Sequence, residues 1–220
     1  MRLALFGGTF DPIHCAHLRV ARAAADAFAL DRVLFAPTGR QPLKPESAAA
    51  SFEDRLAMVT LALAHPCADG NHQPASPDPR FAVTSLDAPH PAAAPNYTVH
   101  LLEELTRTMP AATLFAIAGA DSFLSLPQWR SPERVLALAE WIVVSRPGLD
   151  LTPAFLDRPE FAPLALTSAQ RAGIHVLSGV HEDISATELR RQLREHPDDP
   201  AARTLPAAVA AYIREHRLYR

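Results

Sequence analysis

The sequence predicts an α/β fold: a doubly wound, mostly parallel sheet with helices on both faces. Three observations carry this. Short apolar runs rich in β-branched residues, or in Leu and Phe, alternate with longer segments of helical spacing, as βαβ units require. The 220 residues, 48% hydrophobic and 20% charged, suit one large domain that buries most of its unfolded-chain surface. The first apolar run ends on Gly7-Gly8 just ahead of a helical segment, where open α/β sheets bind ligands.

The elements follow in order. Arg2–Phe6 reads as a buried strand, Ala16–Phe28 as an Ala-rich helix and Arg32–Ala36 as a second strand, with a loop over Pro37–Ser51. Phe52–Ala64 has helical spacing at Leu56, Val59 and Leu63. Phe81–Leu86 is a third strand and Val99–Thr106 a helix. Thr113–Ala118 forms a fourth strand, Pro132–Ala139 a short helix and Trp141–Ser145 a fifth strand. Ile174–Leu177 is a last strand, before helices at Thr187–Arg194 and Pro206–His216. Seven prolines fall between Pro66 and Pro95, so most of that stretch reads as surface loop. No repeat or interdomain linker is evident, so residues 1–220 read as one domain, with a C-terminal helical segment at about 185–220.

Composition excludes several function classes. A net charge of −3 argues against a general nucleic-acid binder. Cys15 and Cys67 are the only cysteines, too few and too isolated for a disulfide framework or a zinc site, and a reducing compartment fits them. The stretch before Gly7 lacks the length of a signal-peptide core, and no apolar run is long enough to span a bilayer, so a cytoplasmic protein without membrane partners is expected.

The chemistry concentrates in Gly7-Gly8-Thr9-Phe10-Asp11-Pro12-Ile13-His14-Cys15-Ala16-His17. Adjacent glycines let the backbone approach a phosphate, and free amides at a helix start attract anions. The spacing fits neither a P-loop nor a dinucleotide-binding glycine motif. His14 and His17 are three apart, so on one helical turn they share a face. Two imidazoles there can donate hydrogen bonds to phosphoryl oxygens as charge builds during transfer. Two plainer readings stand beside this one: the histidines cap or pack, or they bind metal together with Cys15. The metal reading lacks a further ligand at recognised spacing, and no protein metal site is expected. Asp11-Pro12 by itself reads as a turn device.

These residues resemble the opening of the nucleotidyltransferase superfamily, usually closed by H-x-G-H, and most closely that of the bacterial nicotinate-nucleotide adenylyltransferases. Ala16 stands where the pattern has Gly. Ile184-Ser185-Ala186-Thr187-Glu188-Leu189-Arg190 resembles the second motif, I-S-S-T-x-x-R, with Ala186 in place of the second Ser. Ser185, Thr187 and Arg190 are thereby implied on the ATP phosphates, although Ser185-x-x-Glu188 also reads as a capping box. The resemblance implies a Rossmann-like nucleotidyltransferase fold, with Gly7, Gly8, Thr9, Phe10, His14 and His17 at ATP.

Weaker matches fall in the family's order. Lys44 follows a Pro-containing segment and is implied at substrate phosphates; an isolated loop Lys would otherwise be solvated. Gly119 and Asp121 follow the fourth strand, and Asp121 suits ribose hydroxyls or a helix N-cap. Trp129 is implied in stacking on a pyridine ring, or serves the core. Asn96-Tyr97-Thr98 resembles S-Y-T, which puts Tyr97 and Thr98 at the nicotinate carboxylate; the acidic and Gly positions usual just upstream are not recognisable. Arg146, in R-P-G, is implied beside the adenosine, and Thr9 also borders the mononucleotide. Arg55 and Met58 match a family helix but read as structural. Tyr212-Ile213 and Leu218-Tyr219 resemble the family's last helix.

The implied activity is adenylyl transfer from ATP to nicotinate mononucleotide, with Mg²⁺ carried on substrate phosphates and His14, His17, Lys44 and Arg190 as the catalytic set. Nicotinate over nicotinamide rests on the resemblance alone, and a homo-oligomer is left open. The rivals are another adenylyl- or cytidylyltransferase of the same fold, a nucleotide-binding regulatory module, and a class I tRNA synthetase fragment. The last would need an anticodon-binding domain or a basic surplus, and the sequence offers neither.

Overall fold

The computed structural model describes residues 1–43, 48–67, 76–90, 94–145, 151–179, 185–196 and 204–220. Six strands form one sheet: β1 (Arg2–Gly8), β2 (Arg32–Pro37), β3 (Phe81–Val83), β4 (Thr113–Gly119), β5 (Glu140–Val144) and β6 (Ile174–Leu177). Every pairing is parallel, in the order β3-β2-β1-β4-β5-β6. The expected "mostly parallel" sheet is therefore wholly parallel among the described residues. The helices are α1 (Cys15–Ala27), α2 (Phe52–Ala64), α3 (Thr98–Thr108), α4 (Ala120–Phe123), α5 (Pro132–Leu138), α6 (Ser168–Ala172), α7 (Ala186–Glu195) and α8 (Ala207–Glu215). The short α4 and α6, and 3₁₀ turns at Leu126–Gln128, Pro153–Asp157 and Ala162–Leu164, carry too few residues for helical periodicity to show in the sequence.

Strand alternation builds the two layers. In β1, Ala4 and Phe6 point into a core shared with α1, α2, α7 and α8, while Leu3 and Leu5 point into one shared with α3, α4 and α5. A strand buried on both faces is apolar throughout, as Leu3–Phe6 is. In α1, Leu18, Ala21, Ala24 and Ala25 turn to the sheet, and small alanines let the helix lie close to it. β1 pairs with β2 on one side (Leu5↔Leu34) and with β4 on the other (Phe6↔Ile117). The strand order reverses there, so the loops after β1 and β4 diverge to opposite faces and open a crevice between them.

The cysteines depart from expectation. Cys15, at the start of α1, and Cys67, just beyond α2, are joined in a disulfide with Cα atoms 5.7 Å apart. They lie 52 residues apart in sequence, yet α1 and α2 share one face of the sheet. Isolation in sequence hid this proximity, and the bridge removes the cysteine argument for a reducing compartment. No helix among the described residues is long and apolar enough to cross a membrane.

Candidate active site

The opening loop leaves β1 at the β1/β4 crevice. The Gly8 carbonyl accepts the Thr38 amide at 2.9 Å, tying the loop to the end of β2. Phe10 has φ 48° and is 2% exposed. A left-handed aromatic persists where packing over-determines it: its ring lies edge-on to Phe6 at 5.5 Å and beside Phe35 at 5.8 Å. A methyl on Gly8 would meet that ring at 3.0 Å, whereas one on Gly7 would meet no protein atom within 4 Å. Packing therefore requires Gly8 and does not require Gly7, which leaves bare backbone at the crevice.

His14 is the N-cap of α1 and His17 its third residue. Their rings lie 3.8 Å apart, tilted by 31°. The His14 backbone N–H donates to His17 Nδ1 at 3.2 Å, which makes Nδ1 an acceptor and assigns the proton of a neutral ring to Nε2. Phe10 meets the His17 ring edge-on at 5.0 Å and limits its rotation. His14 is buried and His17 half-buried, and the bond from the His14 amide orients the two rings as one unit.

Charged groups brace this loop from beneath. Arg55 of α2, 2% exposed, donates to the Thr9 carbonyl at 2.7 Å and to the Ala50 carbonyl at 3.3 Å. Burial lowers its pKa, against the opposing pull of Asp11, Tyr219, Asp87 and Glu53. Asp11 is 4% exposed and accepts the amides of Ala49 and Ala50 at 2.7 and 3.1 Å, and the Tyr219 hydroxyl at 2.7 Å. It is a buried junction as well as a turn residue. Arg190 of α7 donates to the Asp11 carbonyl at 2.7 Å and to Thr187 Oγ1 at 3.3 Å, so the two sequence motifs, 179 residues apart at this contact, meet. Ser185 is the N-cap of α7 but its side chain makes no capping bond, and Glu188 pairs with Arg191 at 2.6 Å. The capping-box reading is thus corrected: the stronger ion pair takes the Glu.

On the other side of the crevice, Gly119 ends β4 and Asp121 lies exposed in α4. Trp129 is half-buried, edge-on to Trp141 at 5.5 Å, and its indole N–H donates to Ser125 Oγ at 2.9 Å. Tyr97 is the N-cap of α3 and Thr98 its first residue. The Arg130 guanidinium lies 5.5 Å over the Tyr97 ring, which brings the Trp129-Arg130 turn against the Tyr97-Thr98 helix start. Lys44 and Arg146 lie outside the described residues.

Asn96, whose match to the S-Y-T pattern assigned it no role, and Asp87 hold this half. Asn96, 6% exposed, accepts the Arg40 amide at 3.1 Å and donates to the carbonyls of Asp87 and Ala88 at 3.1 and 2.9 Å. Asp87, 5% exposed, is a buried carboxyl nine positions before Asn96. Burial pushes its carboxyl up to about 7, against the opposing effects of Asn96, Arg55 and Thr38. Gly39 passes over both: a methyl there would lie 2.6 Å from the Asp87 carbonyl and 2.8 Å from Asn96 Oδ1. The signal lay in the acidic residue just after β3, masked by the proline-rich stretch that follows.

Comparison with known proteins identifies the family. The cytidylyltransferase-like family matches residues 5–192. A protein of Roseiflexus sp. (strain RS-1), named "Probable nicotinate-nucleotide adenylyltransferase", is 39% identical over 99% of this chain and 98% of its own length. One of the same name from Thermus thermophilus is 38% identical over the whole of both chains. A nicotinic acid mononucleotide adenylyltransferase from Plasmodium falciparum, solved in complex with NaAD, superposes with a TM-score of 0.74 over 99% of this chain and 97% of that one. At 17% identity, that likeness shows a common fold. The chain belongs to the cytidylyltransferase-like family and, within it, to the nicotinate-nucleotide adenylyltransferases.

Proposed function

We propose that this protein transfers the adenylyl group of ATP to nicotinate mononucleotide, giving nicotinate adenine dinucleotide and pyrophosphate, a step in NAD biosynthesis. The observation that carries the proposal is the orientated His14–His17 pair beside bare glycine backbone at the β1/β4 crevice. A 5′-phosphate oxygen of the mononucleotide attacks the α-phosphorus of ATP, and the bond from that phosphorus to the bridging oxygen breaks as pyrophosphate leaves. The nucleophile is already anionic, so the protein supplies position and charge stabilisation rather than a strong base. His17, through Nε2–H, and His14 brace the α-phosphate; Gly7, Gly8, Thr9 and Phe10 lay backbone along ATP. Arg190, Thr187, Ser185 and Lys44 hold the remaining phosphates, and Gly119, Asp121 and Arg146 border the adenosine.

For the mononucleotide, Trp129 stacks on the pyridine, Tyr97 and Thr98 meet its carboxylate, and Thr9, Lys44 and Asp121 reach its ribose phosphate. Asp11 has its carboxylate committed to Ala49, Ala50 and Tyr219, and no cluster of three metal-binding side chains occurs among the described residues. A Mg²⁺ arriving on ATP would be held by substrate phosphate oxygens and water and would neutralise phosphate charge. The chain works as one domain in the cytoplasm, on small molecules rather than nucleic acid, with self-association left to measurement. The test is incubation with ATP, Mg²⁺ and each of nicotinate mononucleotide, nicotinamide mononucleotide and phosphopantetheine, following pyrophosphate and dinucleotide. Turnover is expected first with the nicotinate form. Pyrophosphate release with none of the pyridine substrates would sink the proposal.

A further inference from the structure

We infer that Tyr219, remote from the crevice in sequence and buried beneath it, is a positioning residue for the transfer step, acting through Asp11 on the loop that carries His14 and His17. The inference rests on the proposed reading of that loop as the phosphate site.

The chain leaves α8 and turns sharply. Arg217 and Tyr219 take positive φ of 54° and 64°, and the Leu218 amide returns to the Ile213 carbonyl at 3.0 Å. Two left-handed side-chain-bearing residues on either side of Leu218 are unfavourable and persist where surrounding contacts hold them. The contact here is the Tyr219 hydroxyl, which donates to Asp11 Oδ1 at 2.7 Å from a side chain only 8% exposed. Burial raises the Tyr219 pKa, reinforced by Asp11, so the phenol stays a donor through the neutral range. Asp11 also takes two amides from the segment before α2, and its own carbonyl takes Arg190. Three separate stretches of chain therefore converge on one residue of the opening loop, and the guanidinium implied at the phosphates is aimed by the same residue.

Removing the hydroxyl leaves a buried carboxylate oxygen short of its strongest neutral donor. The loop then relaxes around Asp11, and small displacements of a charge-stabilising group cost rate more than binding of the distant substrate half. Tyr212 supplies the internal control. It lies on α8, its hydroxyl donates to Asp54 Oδ1 at 2.9 Å, and that bond joins α8 to α2 without touching the opening loop.

The experiment compares Tyr219→Phe with Tyr212→Phe, each losing one oxygen, and adds Asp11→Asn. Thermal midpoints, kcat, both KM values and the ATP dissociation constant by calorimetry are measured. Tyr219→Phe should lose about tenfold to a hundredfold in kcat, the worth of one hydrogen bond to a charged group. Its KM for the mononucleotide should stay within about twofold while ATP binding weakens several-fold. Tyr212→Phe, losing a part-buried bond, should lower the thermal midpoint less and keep kcat and ATP binding. Asp11→Asn should lose kcat too, and the Tyr219→Phe/Asp11→Asn double variant should lose little more than Asp11→Asn alone. Equal kcat and ATP binding in the two Tyr variants, or additive losses in the double variant, would overturn the inference. If the wild type releases no pyrophosphate with nicotinate mononucleotide, the functional reading fails by itself; ATP binding by the two Tyr variants still decides the positioning role.

Discussion

The two sides of the crevice are held by opposite means. Beneath the opening loop, charge does the holding: buried Arg55 on the Thr9 carbonyl, half-buried Arg190 on that of Asp11, and the buried Asp11 carboxylate on two amides and Tyr219. On the other side, Trp129 leans on Trp141, Arg130 lies over Tyr97, and the neutral amide of Asn96 pins the loop. A site for several phosphate charges gains from fixed donors whose geometry does not relax during reaction. A site for a flat ring gains from aromatic surface and shape. The difference should show in kinetics, with damage to the first side lowering turnover and damage to the second raising an apparent KM.

The strongest way to break this contrast is His17→Ala. Removing one orientated donor at a developing charge costs about a hundredfold to a thousandfold in kcat, with the thermal midpoint nearly unchanged because His17 is half-buried. Near-normal turnover would end its assigned role. Trp129→Ala should raise KM for the mononucleotide by roughly tenfold while KM for ATP moves little, the stacking share of ring binding. Equal rises in both would reduce Trp129 to a packing residue on Trp141.

Asp87 gives a pH-dependent sharpening of the same contrast. Its carboxyl is pushed up to about 7 in the fold from an ordinary 3.8. Between these values the folded chain keeps a proton that the unfolded chain has released, so stability from this group is full below about pH 4 and is lost as pH rises through about 7. Asp87→Asn, uncharged throughout, should therefore gain on the wild type as pH rises from about 4 to 8, by on the order of 4 kcal/mol. A difference in thermal midpoint that stays flat over that range would contradict the assignment. The smallest effect on activity is expected from Cys67→Ser. Opening a loop of this length costs about 4 kcal/mol of stability in the chain-entropy account, and a lower thermal midpoint with kcat retained at room temperature is the expected pair of results. Loss of kcat in step would mean that the bridge, rather than Arg55 and Asp11, fixes the histidines.

The same contrast explains what could be read from the sequence. The opening-loop side is written in two contiguous motifs, and His14, His17 and Arg190 could be named because loop and helix start are local structures. The sheet was legible because buried strands such as Leu3–Phe6 and Leu114–Ala118 are unbroken apolar runs. What could not be read is long-range. Arg55 looked structural and Asp11 looked like a turn because their partners, Thr9 and Tyr219, lie 46 and 208 residues away. Cys15 and Cys67 looked isolated for the same reason. Asp87 was hidden because its burial comes from Gly39 and Asn96 folding over it, which no periodicity records.

Gly39 carries a consequence for mutational tolerance. Its φ lies outside the left-handed region, so backbone conformation alone would admit alanine there. The barrier is proximity: the Asp87 carbonyl, Asn96 Oδ1 and the Pro89 nitrogen all stand within 3 Å of where a methyl would sit. Two of those three are main-chain atoms that cannot swing aside as a side-chain tip would. Substitution at this position should therefore be purged in a library selected for function as severely as at the histidines, although residue 39 is expected to touch neither substrate. Escape variants, if any arise, should carry a second change in the 87–96 loop.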